Sequence, residues 1–240
     1  MRLFTRIVAT VGTVFALLAG WAGPSSAQQS PVTAIDVLLE PDATMLKHAA
    51  AANARLLKVF PRGFALDAAH RPHITTLQRF VRTADLDKVY DAVGKALEGE
   101  KIAGWKLKAF KYYYIPAGET GLAGIVIEPT DDWLRLQQKM IEAVAPFTVQ
   151  SGSEAAFHLT PEDGAFSKGL VEYVAAFVPD STGKNFNPHV TIGVAPQDYL
   201  KAMLAEPFET FTFSPAGVSV YQLGNYGTAR RKLKAWEPTP

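Results

Sequence analysis

One pattern occurs twice along this chain, and it limits the folds available more than any other feature. An apolar, β-branched run from Val32 to Leu39 ends in Glu40-Pro41. Residues with a single apolar helical face follow, Leu46, Ala50, Leu57 and Phe60. A later segment opens Pro72-His73-Ile74-Thr75. From Leu122 the order starts again: a run to Ile127, then Glu128-Pro129, then Trp133, Leu136, Met140 and Val144 at helical spacing, and finally Pro188-His189-Val190-Thr191. The period is close to half the chain, far above the roughly 20–50 residues of solenoid repeats. Two related lobes are therefore predicted, interleaved within one domain, with repeats over about 32–118 and about 121–240.

Glu40 and His73 are 33 residues apart, whereas Glu128 and His189 are 61 apart. The second copy thus carries an insertion of about 28 residues, placed near 150–182. Its apolar run from Leu170 to Val178 fits a helix or a buried strand equally well. Elsewhere the periodicities are clearer. His73 to Val81 reads as a strand, and Thr83 caps a helix bearing Leu86, Val89, Tyr90, Val93 and Leu97. Trp105, Leu107 and Ala109 alternate with Lys106 and Lys108 as a strand with one wet face. A short helix follows Pro196, and strands are predicted at Phe208–Phe213, Val218–Leu223 and Tyr226–Trp236, with a turn at Gly224-Asn225. Strands and helices in this order argue for an α+β fold with mainly antiparallel sheets.

Arg2 and Arg6 precede an apolar run from Ile7 to Gly23 and small residues up to Ala27. That is the pattern of a secretory signal peptide over residues 1–27, cleaved after Ala27, and it predicts a periplasmic or secreted protein. Removing the leader leaves 22 basic and 23 acidic residues, a net charge of −1. So balanced a chain is no general polyanion binder. No stable nucleic-acid complex, no membrane association after cleavage and a monomeric state are expected. With no cysteine in the chain, disulfides, thiolate zinc sites and a cysteine nucleophile are excluded.

On a strand, side chains two apart share a face. His73 therefore lies beside Thr75, and His189 beside Thr191, while Ile74 and Val190 point to the core. Paired Pro-His-x-Thr segments on duplicated lobes resemble the two-histidine (2H) phosphoesterase superfamily, which includes bacterial 2′-5′ RNA ligases and cyclic phosphodiesterases. The matching text is Pro72-His73-Ile74-Thr75-Thr76-Leu77 and Pro188-His189-Val190-Thr191-Ile192-Gly193. Thr76 departs from the apolar residue usual there. The resemblance implies two pseudo-symmetric lobes of sheet with flanking helices around a central cleft, opposed histidines, and neither metal nor cofactor. It also implies hydrolysis of a cyclic or 2′-5′ phosphodiester in a nucleotide or RNA end. Imidazole populates both protonation states near neutrality and suits acid and base roles alike. Which histidine starts neutral stays open in the sequence, and Thr75 and Thr191 are expected to hydrogen-bond the phosphoryl oxygens.

Around this set, Tyr112, Tyr113, Tyr114, Phe186, Tyr221 and Tyr226 are candidate base-stacking residues, and Arg71, Lys111, Arg230 and Arg231 are candidate phosphate contacts. Tyr221 is preferred, because the resemblance implies an aromatic on a late strand lining the cleft. His158-Leu159-Thr160 matches the bare pattern but lies in the insertion, outside the repeat. His70 with His73 has no carboxylate at ligand spacing to complete a metal site. A ligase and a catalytically silent nucleotide-binding module are the alternatives, and export weighs against ligation.

Overall fold

The computed structural model describes residues 30–237, so the signal peptide read at residues 1–27 lies outside the described residues. Strand β1 (Val32–Pro41) is followed by helix α1 (Ala43–Val59), and strand β2 (Ile74–Arg82) by helix α2 (Leu86–Leu97). Strands β3 (Leu107–Ala117) and β4 (Thr120–Ile127) then form a hairpin that leads into helix α3 (Asp131–Val144). Strand β5 (Thr148–Val149), helix α4 (Leu170–Ser181), strand β6 (His189–Pro196) and helix α5 (Gln197–Ala205) come next. Strands β7 (Phe211–Phe213), β8 (Pro215–Leu223) and β9 (Ala229–Trp236) complete the chain.

Two antiparallel sheets result, in the orders β5-β2-β1-β8-β9 and β6-β4-β3-β7. The first copy supplies β1 and β2 to one sheet and β3 to the other, and the second copy supplies β4, β6 and β7 to that other sheet and β5, β8 and β9 to the first. β3 leaves the first copy to flank β4, and β8 returns from the second to flank β1. The two sheets with their helices are the α+β, two-lobed architecture expected from the sequence. Both Glu-Pro signals also act alike. Asp42, next after Pro41, accepts the N–H groups of Thr44 and Met45 at 2.9 and 3.1 Å, and Thr130, next after Pro129, accepts that of Trp133 at 3.2 Å. Each side chain satisfies donors that a helix start leaves open.

A shared core joins the lobes. Ile35, Val37 and Leu39 from β1, Val190 and Ile192 from β6, Met45 and Leu56 from α1, and Trp133 and Met140 from α3 form one buried cluster. On the opposite face of the first sheet, the insertion packs Phe157, Leu170 and Val174 against Ala34, Phe80 and Leu223. The ambiguous run beginning at Leu170 is thus helix α4, burying one apolar stripe on β2. The last strand begins at Ala229, not Tyr226. Residues 225–227 form a tight turn in which Tyr226 adopts φ 58° and the Asn225 side chain receives the Ser167 N–H at 2.8 Å.

One irregularity, invisible in the periodicity, occurs in both histidine strands. In the β1–β2 ladder Val37 opposes Leu77 and Leu38 opposes Thr75, leaving Thr76 without a partner. In the β4–β6 ladder Ala123 opposes Gly193 and Gly124 opposes Thr191, leaving Ile192 without one. The extra residue is in each case the third after the histidine, which makes the bulge part of the repeat. A β-bulge reverses the inward and outward alternation beyond it. Thr75 and Gln78, three apart, consequently face the same side, and both reach Asp36.

Candidate active site

His73 immediately precedes β2 and His189 opens β6, and these two strands approach each other between the sheets. Both rings are oriented the same way. Nδ1 of His73 lies 2.7 Å from the carbonyl of Arg71, and Nδ1 of His189 lies 2.8 Å from the carbonyl of Asn187, in each case two residues back. A carbonyl oxygen only accepts, so both Nδ1 atoms carry hydrogen and the tautomer is fixed. Each Nε2 is left to take or give a proton. The proline between carbonyl and ring, Pro72 or Pro188, holds that carbonyl's residue extended.

The two imidazoles occupy unlike surroundings. Nε2 of His73 is 3.7 Å from Oδ2 of Asp36, a fully buried carboxyl in the middle of β1. That oxygen also receives the Thr75 hydroxyl at 2.7 Å and the Gln78 amide at 3.3 Å, whereas Oδ1 has no partner among the described residues. Burial pushes the Asp36 carboxyl above its usual range, and the charge of His73 and the two donors pull in the other direction. In the second copy, Leu122 and Val194 hold the positions of Asp36 and Gln78. Among the described residues, His189 therefore has no carboxylate paired with it. Its ring lies at 4.7 Å from that of Tyr113, and burial pushes it below the ordinary histidine range, with the nearby charge of His73 adding to the effect. The two rings are close enough to sense each other electrostatically.

Gly124 sits opposite Thr191, and a Cβ there would fall on the Tyr113 ring, so the missing side chain lets Tyr113 lie against β4 and under His189. From the insertion, α4 packs on β2 and brings the half-exposed Tyr173 within electrostatic reach of Asp36 and Tyr113. Burial and the Asp36 charge push the Tyr173 phenol upward, and Tyr173 acts in the same direction on Tyr113 after burial. The Thr191 hydroxyl makes no hydrogen bond among the described residues. Nor do those residues contain a group of three His, Cys, Asp or Glu side chains arranged to hold a metal ion.

Several residues singled out in the sequence lie elsewhere. Tyr221 is 1% exposed, with its hydroxyl on Glu40 at 3.3 Å and its ring beneath the Lys232 ammonium, so no face remains for a base. Phe186 packs edge-to-face on Trp133 inside the main core. Tyr112, one residue from Tyr113, takes the opposite side of β3 and packs on Phe208. Tyr226 projects from its exposed turn. Arg71 remains at the site, exposed, with its carbonyl orienting His73. Tyr113, one of the candidate stacking aromatics, lies beside His189, while Asp36, Gln78 and Tyr173 join the site without having stood out in the sequence. Of these only Asp36 leaves a signal there, as an acid within the apolar run Ala34-Ile35-Asp36-Val37-Leu38.

Taken together, fold and site define a two-lobed α+β protein in which each lobe holds a histidine of fixed tautomer, on strands that approach each other. No family model matches the chain, and no curated protein matches it. Among solved structures it is similar to TT0787 of Thermus thermophilus, with a TM-score of 0.52 and 16% identity over 86% of this chain and 98% of that one. This likeness establishes the shared fold. Fainter similarities run to E. coli LigT complexed with 3′-AMP (TM-score 0.45, 14% identity, 88% and 100% covered) and to Kluyveromyces marxianus Usb1 (0.42, 8%, 87% and 99%).

Proposed function

We propose that the chain is a metal-independent phosphoesterase that hydrolyses a cyclic 2′,3′-type or 2′-5′ phosphodiester in a nucleotide or RNA end. The observation that carries this reading is the matched pair of imidazoles, each with Nδ1–H on a backbone carbonyl and Nε2 in no hydrogen bond among the described residues. Cyclic phosphodiester hydrolysis needs one group to remove a proton from the attacking water and another to protonate the departing sugar oxygen. His189, kept neutral by burial and by the charge of His73, suits the first task. His73, with the Asp36 carboxyl 3.7 Å from Nε2, suits the second.

In the proposed step, Nε2 of His189 takes the water proton as the oxygen attacks phosphorus. The bond from phosphorus to the ring sugar oxygen breaks, and Nε2–H of His73 protonates that oxygen to release a phosphate monoester. Negative charge on the non-bridging oxygens is met by Thr191, whose hydroxyl is uncommitted. Thr75 donates to Asp36 in the free protein, so it serves a phosphoryl oxygen only by exchanging that bond. On the signal pattern at residues 1–27 we assign the mature protein to the periplasm or medium, as a monomer.

Incubating the purified protein with 2′,3′-cyclic AMP in excess chelator tests the reading. The expected product is an adenosine monophosphate, formed at a rate the chelator does not change. Substrate bound but never opened would favour a silent binding module instead. Turnover only on addition of zinc would contradict the mechanism.

A further inference from the structure

The bulges create a problem that two buried amides solve in the same way. Thr76 and Ile192 fall outside their ladders, so their carbonyls have no cross-strand donor, and a buried carbonyl left open is costly. The Ile192 carbonyl accepts Nδ2–H of Asn53 on α1 at 2.8 Å. The Thr76 carbonyl accepts Nε2–H of Gln137 on α3 at 2.9 Å. The exchange is reciprocal, since the helix of the first copy caps the bulge of the second and the reverse. Asn53 and Gln137 are 5% and 1% exposed.

Both amides have a second attachment, to the loop of their own copy that leads to its histidine. Asn53 donates to the Phe64 carbonyl at 2.9 Å and accepts the Leu66 N–H at 3.2 Å, on the approach to Pro72-His73. Gln137 accepts the Gly183 N–H at 3.0 Å, on the approach to Pro188-His189. Each amide therefore ties the loop that delivers one histidine to the strand that carries the other. Gly193, at φ 138°, leaves room for this, because a Cβ there would meet Nδ2 of Asn53 at 2.9 Å.

We propose that Asn53 and Gln137 are positioning residues that set the two imidazoles as a pair, so that a disturbance at either amide reaches both rings. The role rests on the two-histidine reading of the site, but its spectroscopic test does not need turnover. Asn53→Leu and Gln137→Met remove the polar groups with little change in volume. Asn53→Asp and Gln137→Glu keep the acceptor for Leu66 or Gly183 and remove the donor to the bulge, which retains a test if the apolar variants fail to fold.

Imidazole NMR on the folded protein is expected to show both His73 and His189 shifted in every variant, with His158 in the insertion unchanged. On 2′,3′-cyclic AMP, kcat is expected to fall by about 10- to 100-fold, as misplacement of reacting groups does, with KM within about twofold. Shifts confined to one of the two histidines, or a loss in KM with kcat retained, would overturn the pairing. Absence of turnover in the unmodified protein would instead count against the proposed function and leave the NMR result to decide the positioning role.

Discussion

His189→Ala and His73→Ala are each expected to lower kcat on a cyclic phosphodiester by about 10²–10⁴-fold, a barrier increase of roughly 3–5 kcal/mol. The reason is geometric. Each ring is held by a single hydrogen bond from Nδ1 to a carbonyl, and that bond fixes the tautomer that leaves Nε2 to move the proton. Tyr113 and Tyr173 have phenols pushed upward by burial, so neither can act as a base near neutrality. Residues that act as a unit are not additive. The double variant should therefore be only slightly slower than either single one. His158→Ala is the control, because that histidine matches the bare motif but lies in the insertion, where burial and then the charges of Arg231 and Arg230 hold it below its ordinary range. Steady-state rates for the four proteins decide the matter, and equal losses at His158 would remove the distinction on which the site depends.

Trp133→Ala should give the largest loss of stability, about 3–5 kcal/mol as for other fully buried tryptophans. The indole is 0% exposed and lies where the two copies meet. Its Nε1–H donates to the Thr76 hydroxyl at 3.1 Å, and its ring packs edge-to-face on Phe186 at 5.1 Å and tilted on Trp105 at 6.5 Å. Truncation would open a cavity between α3 and β2 and leave the bulge residue Thr76 without its hydroxyl partner. Trp133→Phe fills much of the space and loses the N–H, so it should cost about 1–2 kcal/mol. Urea titration gives both numbers. An Ala variant within about 1 kcal/mol of the unmodified protein would mean that the lobes do not share this core.

The duplication is legible in the sequence because helical and strand periods report which side of an element is buried, and Glu-Pro and Pro-His-x-Thr mark the same points in both copies. What stays hidden depends on departures from those periods. A bulge is one extra residue in a ladder, and neither Thr76 nor Ile192 differs in type from an ordinary strand residue. Without the bulge, Gln78 would face away from Asp36, so strict alternation does not foresee the buried polar cluster. Tyr112 and Tyr113 differ by one position, yet the pleat sends one to Phe208 and the other to His189. Tyr221 attracts attention as an aromatic ring on a late strand. The register places it between Asp36 and Lys232 in the middle of a five-stranded sheet, where its ring is covered. The run from Leu170 is a helix because it lies across β2 and needs one apolar stripe, a tertiary requirement absent from its composition.

The proposed chemistry requires one spatial relation, that His73 and His189 lie closely enough for the charge on one to act on the other. Following His189 by imidazole NMR across pH, in the unmodified protein and in His73→Gln, tests it without any substrate. Burial and the charge of His73 both hold His189 low, so replacing the His73 ring should move the His189 midpoint upward, toward the usual histidine value, with the part due to burial retained. A His189 midpoint identical in the two proteins would show that the rings do not face each other, and the proposed chemistry would have no site.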